Sequence, residues 1–66
     1  MYPNLEMERI RHGYTKEYVA KKLGITQEEY QQRSESGSFW GADALVLTTM
    51  YKKSFEYLFF QNEGKI

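Results

Sequence analysis

The sequence predicts an all-α fold, a single compact domain of five short helices, and three observations carry that prediction. Sustained alternation of apolar and polar residues, the mark of a half-buried strand, is missing. Helix starts and stops recur instead: Pro3–Asn4, Gly13, Thr15, Gly24, Thr26, Gly37 and Ser54. Between them, apolar residues fall at spacings of three and four.

Taken in order, a first helix starts at Pro3 and Asn4, carries Leu5, Met7 and Ile10, and stops at Gly13. Thr15 caps a second helix, with Tyr14 and Val19 at the two positions of a hydrophobic staple. Val19, Ala20 and Leu23 give that helix one buried face, Lys16, Glu17, Lys21 and Lys22 lie mostly on the other, and Gly24 ends it. A third helix starts two residues later. Thr26-Gln27-Glu28-Glu29 is a capping box, and Ile25 and Tyr30 form its staple. Beyond Tyr30 this helix is polar, so it is either barely packed or reserves its exposed face for a polar partner. After the break at Ser36-Gly37-Ser38 and the aromatic loop Phe39-Trp40-Gly41, a fourth helix is expected from Ala42 to Lys52. A fifth, capped by Ser54, spans Phe55 to Phe60. The domain therefore covers residues 1–60, with 61–66 as a flexible tail. The expected core is Leu5, Ile10, Val19, Ala20, Leu23, Ile25, Tyr30, Leu45, Leu47, Tyr51, Phe55 and Leu58.

Composition narrows the function. A chain of 66 residues is one domain at most, and one of about 60 residues buries only roughly 60% of its unfolded surface. With no Cys and one His it has neither a disulfide nor a zinc staple, so eleven aromatic residues (six Tyr, four Phe, one Trp) must supply the core. No nucleophile–base pair, phosphate-cradling glycine loop or paired carboxylate is present, so the chain is expected not to be an enzyme and to need no cofactor, metal or small-molecule substrate. His12 reads as a surface residue closing the first helix. The longest uncharged stretch, Ala44 to Tyr51, is too short to span a bilayer, and residues 1–6 lack a secretion signal. A cytoplasmic location without membrane association is expected. Nine basic and nine acidic residues leave a formal net charge of zero, which gives no global pull towards a polyanion.

One local signal is more specific. Residues 16–35 read helix, glycine turn, helix, with small Ala20 four residues before Gly24 so that the two helices can approach closely. Gly24 can take the left-handed conformation of a sharp turn, and Ile25 and Tyr30 lock the corner. This is the physical recipe of a helix–turn–helix, whose second helix enters the major groove of DNA.

The run Gly13-Tyr14-Thr15-Lys16-Glu17-Tyr18-Val19-Ala20-Lys21-Lys22-Leu23-Gly24-Ile25-Thr26-Gln27 resembles the signature of the lambda-repressor-like regulators, the Cro and xenobiotic-response-element type. Tyr51-Lys52-Lys53-Ser54-Phe55-Glu56-Tyr57-Leu58-Phe59 is similar to the end of that domain. Tyr2-Pro3-Asn4-Leu5, Phe39 and Ala44-Leu45 resemble a subset from phages and prophages of Gram-positive bacteria. The resemblance implies a five-helix domain, an operator in double-stranded DNA as ligand, and a homodimer whose recognition helices lie about 34 Å apart. It implies phosphate contacts from Thr15 and Lys16, phosphate and base-edge contacts from Thr26, Gln27 and Glu28, and a further contact from Gln32. It also implies a tie between Arg9 and Glu35. Gln can pair bidentately with adenine, and Lys can neutralise a phosphate. Lys16, Lys21 and Lys22 are expected to form a local basic patch.

The chain departs from that pattern in four places. Arg33 stands where the family buries an aliphatic residue. Gly37 comes one residue late, which predicts a bulge or register shift. Phe39-Trp40-Gly41 replaces a proline-containing loop. Glu28 and Glu29 bring two negative charges to the start of the recognition helix. Two functions follow: a sequence-specific transcription regulator, a small phage repressor or Cro-like protein; or a protein-interaction module on the same fold, an anti-repressor or adaptor. Trp40, Phe59 and Phe60 are candidate interface residues; Trp40 and Phe59 read equally as core closure, and Phe60 is expected to face a second copy.

Overall fold

Among the described residues the polypeptide folds as five helices, α1 (Pro3–Arg11), α2 (Lys16–Leu23), α3 (Gln27–Ser36), α4 (Gly41–Tyr51) and α5 (Phe55–Leu58). The computed structural model describes residues 2–39 and 41–61, and no strand occurs among them. Trp40 and residues 62–66, which make up most of the expected tail, lie outside the described residues.

Each boundary has a local cause. Pro3 opens α1, where a missing N–H costs nothing. The Thr15 hydroxyl accepts from the Tyr18 N–H at 3.0 Å and starts α2. Gly24, at φ 74° and ψ 28°, closes it, returning its N–H to the Ala20 and Lys21 carbonyls. The capping box then starts α3: Thr26 accepts from the Glu29 N–H at 3.0 Å, and the Glu29 carboxylate accepts from the Thr26 N–H at 2.9 Å. The late glycine, Gly37, is an ordinary left-handed cap at φ 69°. The extra residue lengthens α3 to Ser36 and produces no bulge. A side chain at Gly37 would also collide with Gln61, which packs over it. Ser54 caps α5 through the Tyr57 N–H at 3.1 Å.

Tyr2, Leu5, Val19, Ala20, Tyr30, Phe39, Leu47, Tyr51 and Leu58 form one core cluster, with Leu23, Ile25, Tyr57 and Phe59 half-buried against it. Three expected core residues lie outside: Ile10 is 64% exposed, Leu45 68% and Phe55 56%. On α1 the inward line is Leu5–Glu8, and Ile10 sits roughly 200° round the helix from Glu8. On α4 the inward line is Ala44–Leu47–Tyr51, and Leu45 sits roughly 200° from Leu47. Phe55 opens the one-turn α5 and rests on Phe59 at 4.9 Å between ring centroids.

Two aromatic residues outside the helices, Tyr2 and Phe39, belong to the core. Tyr2 packs edge-on against Phe59 at 5.1 Å, and Phe39 reaches Tyr30 at 5.5 Å. The Tyr2 hydroxyl accepts from the Phe39 N–H at 3.2 Å. Polar bonds tie α1 to α5: Asn4 donates to the Tyr57 carbonyl at 2.9 Å, and the Tyr57 hydroxyl donates to the buried Glu8 carboxylate at 2.9 Å. Arg9 does not bridge to Glu35. Its guanidinium engages Glu6 and donates to the Tyr14 carbonyl at 2.6 Å. Arg33 meets Asp43 and joins α3 to α4 through an ion pair.

Candidate nucleic-acid interface

The α2–α3 corner gathers most of the residues singled out from the sequence. Lys16 is the first residue of α2, and Gln27 and Glu28 are the first two of α3. Together with Gln31 these three line one hollow on the surface. Gln27, Glu28 and Gln32 are exposed, whereas Lys16 is half-buried. Gln32 lies one turn beyond Glu28 on the outer side of α3, apart from the hollow. Thr15 and Thr26 hold the helix starts, each spending an oxygen lone pair on its own backbone. Both hydroxyl hydrogens can still be donated to a phosphate oxygen.

Gln31 was not singled out by the sequence, yet it organises the site. It accepts from the Lys16 ammonium at 2.7 Å and donates to the Glu35 carboxylate at 2.6 Å. A hydrogen-bonded chain therefore runs from α2 to the end of α3 and fixes the direction of the lysine. The legible signal was the spacing of Gln27, Gln31 and Glu35, four residues apart along one line of a helix.

The charge around the corner is mixed. On α3, Glu28, Glu29 and Glu35 stand against one cation, Arg33, and that guanidinium is turned to Asp43. The expected basic patch is divided. Lys16 lies in the α2–α3 hollow, while Lys22 sits 5.4 Å from the centre of the Tyr18 ring on the other side of α2. There Tyr18 and Lys22, with Leu45, Val46, Thr49 and Met50 of α4, line an apolar groove. Burial beneath the corner pushes the Tyr30 hydroxyl up to about 12 and raises that of Tyr51 further still, so both stay neutral under ordinary conditions.

Of the aromatic candidates, Phe60 is 56% exposed, Phe59 is half-buried against Tyr2, and Trp40 lies outside the described residues. His12 closes α1 and stacks edge-on against Tyr51 at 5.1 Å. Among the described residues no group of three or more His, Asp or Glu side chains is placed to hold a metal ion, and no helix is long and apolar enough to cross a membrane. Comparison with protein-family models, curated proteins and solved structures finds no match to this chain.

Proposed function

We propose that the chain is a sequence-specific DNA-binding regulator of the lambda-repressor-like kind, a small phage or prophage repressor or Cro-like protein, in which α2, the Gly24 turn and α3 act as a helix–turn–helix. The observation that supports this reading is the α2–α3 corner. A fully capped α3 is held against α2 across a left-handed glycine and presents Gln27 and Glu28 beside Lys16, with exposed Gln32 one turn further along α3. In this reading α3 lies in the major groove of an operator, Gln27 and Gln32 read base edges, and Thr15, Lys16 and Thr26 hold phosphates. The Lys16–Gln31 bond aims the ammonium before DNA arrives and is shared with or exchanged for a phosphate. Regulation is by occupancy and needs no cofactor.

A second reading, a protein-interaction module on the same scaffold, is favoured by one observation: α3 carries an excess of carboxylates and its only cation is spent on Asp43. An electrophoretic shift against genomic fragments at low and moderate salt separates the two. A retarded band that survives moderate salt on a few fragments supports the regulator. No retardation at low salt rejects it in favour of the interaction module.

A further inference from the structure

We infer that the groove between α2 and α4 binds a small amphipathic anion, a medium-chain carboxylate whose tail lies against α4 and whose head meets Lys22. The apolar character comes from α4. Its inward line is Ala44, Leu47 and Tyr51, yet its outward side is uncharged too, with Leu45, Val46 and Thr49 exposed. Three of the large apolar side chains left exposed among the described residues, Tyr18, Leu45 and Val46, converge on this one groove. Apolar surface gathered in one concavity, rather than scattered singly, marks a binding site. The hollow measures about 510 Å3, within the range of roughly 300–1,000 Å3 typical of small-molecule sites. Six residues line it, against about 20–30 a side in a stable protein interface. From Leu45 to Met50 it runs about 7.5 Å along the helix axis, the length of a short alkyl chain and not of a docked helix. Size therefore selects a small molecule over a protein.

Charge selects the head group. No Asp or Glu lines the groove, and its one ionised wall is Lys22. Asp43, the one acid of α4, is turned away to Arg33 of α3. Lys22 makes no ion pair among the described residues. Its ammonium lies 5.4 Å from the centre of the Tyr18 ring. The negative face of that ring holds the cation at the edge of the groove without supplying a counter-ion. A carboxylate bound there gains a charged partner, while its alkyl tail covers Val46 and Met50 beside the rim formed by Leu45. A cationic amphiphile meets Lys22 with the wrong sign. A dianion brings a second charge onto apolar surface with no partner for it. The groove lies across α2 from the hollow at Lys16, so this inference does not rest on the DNA-binding reading.

Amide chemical shifts of the whole chain, titrated without DNA, test the proposal. The probes are octanoate and octyltrimethylammonium, each kept below its micellar range. Octanoate should produce saturable shifts confined to the neighbourhood of Tyr18, Lys22, Val46, Thr49 and Met50, and the cation should not saturate there. Lys22→Gln should weaken octanoate binding about fivefold and erase the preference for the anion. Thr49→Glu should reverse that preference. Both positions are exposed, and circular dichroism reports whether each variant folds; the comparison of the two probes on the unaltered chain decides without them. Octanoate shifts that are absent, unsaturable or scattered over the surface overturn the proposal. So does equal binding of the two probes, or a folded Lys22→Gln chain that keeps the preference. Shifts at the same amides that grow with protein concentration alone assign the groove to a second copy and overturn it as well.

Discussion

Leu47 and Leu45 sit two positions apart on the same helix, yet one is fully buried and the other 68% exposed. Leu47→Ala should therefore cost about 2–5 kcal/mol in urea unfolding. Leu45→Ala should stay within about 0.5 kcal/mol. Equal losses would show that α4 is rotated from the orientation described. Tyr30 and Tyr51 carry a different kind of cost. Both hydroxyls are buried without a hydrogen-bond partner among the described residues, and burial raises both above the ordinary tyrosine value, Tyr30 to about 12. The sign follows from linkage. The unfolded chain loses these protons near pH 10 while the folded chain retains them, so the stabilisation is complete below about pH 10 and is lost as pH rises through 12. For Tyr30 the loss is about 2–3 kcal/mol. Thermal melts between pH 8 and 12 should fall in step with tyrosinate absorbance at unfolding, and Tyr30→Phe should flatten part of the decline without destabilising the protein at neutral pH.

The elements differ in how far the sequence revealed them, and the difference is physical. Starts and stops are written in local chemistry. Thr15, Thr26 and Ser54 each accept the backbone N–H three residues on, and Gly24 and Gly37 each take a left-handed φ. Cap and turn reading therefore found each helix, although α4 begins and ends one residue earlier than expected and α5 stops at Leu58 rather than Phe60, and the long polar α3 with one inward Tyr30 was legible for the same reason. Thr26→Ala should cost about 1 kcal/mol, within a range of 0.5–2, and should fray α3 first in hydrogen exchange. Serine at the same position should recover most of that loss. Which face points inward is not local chemistry. Val19, Ala20 and Leu23 form an unambiguous stripe, but α1 and α4 carry apolar residues on more than one side. Only packing chooses Leu5 with Glu8 over Ile10, or Leu47 over Leu45. Glu8 illustrates the limit. A carboxylate on α1 is not expected in a core, and its burial depends on the Tyr57 hydroxyl 49 residues away. The α2–α3 corner could be read from its glycine and capping box, whereas the Lys16–Gln31–Glu35 chain needed the two helices in place.

At the scale of the whole molecule, zero net charge means that the proposed DNA binding would depend on the placement of a few groups. The counterion term that dominates nonspecific binding is small when few cations face phosphate, so under the proposed function Lys16 would carry an unusual share of it. Lys16→Ala should weaken binding to all sequences alike and reduce the slope of log K against log salt by about one charge, read from fluorescence titrations at several ionic strengths. Glu28 acts in the opposite sense. An exposed carboxylate at the start of α3 repels nearby phosphates but can accept a hydrogen bond from cytosine N4. Glu28→Gln removes the repulsion and offers the adenine-pairing amide in its place. Affinity for random DNA should rise, while preference at one base pair of the operator shifts from cytosine towards adenine by about 1–3 kcal/mol. The two substitutions thus separate charge from readout on one face. If both leave DNA binding unchanged, the carboxylates of α3 face a different partner, and Glu28, Glu29 and the Arg33–Asp43 pair become the first positions to examine for a protein contact.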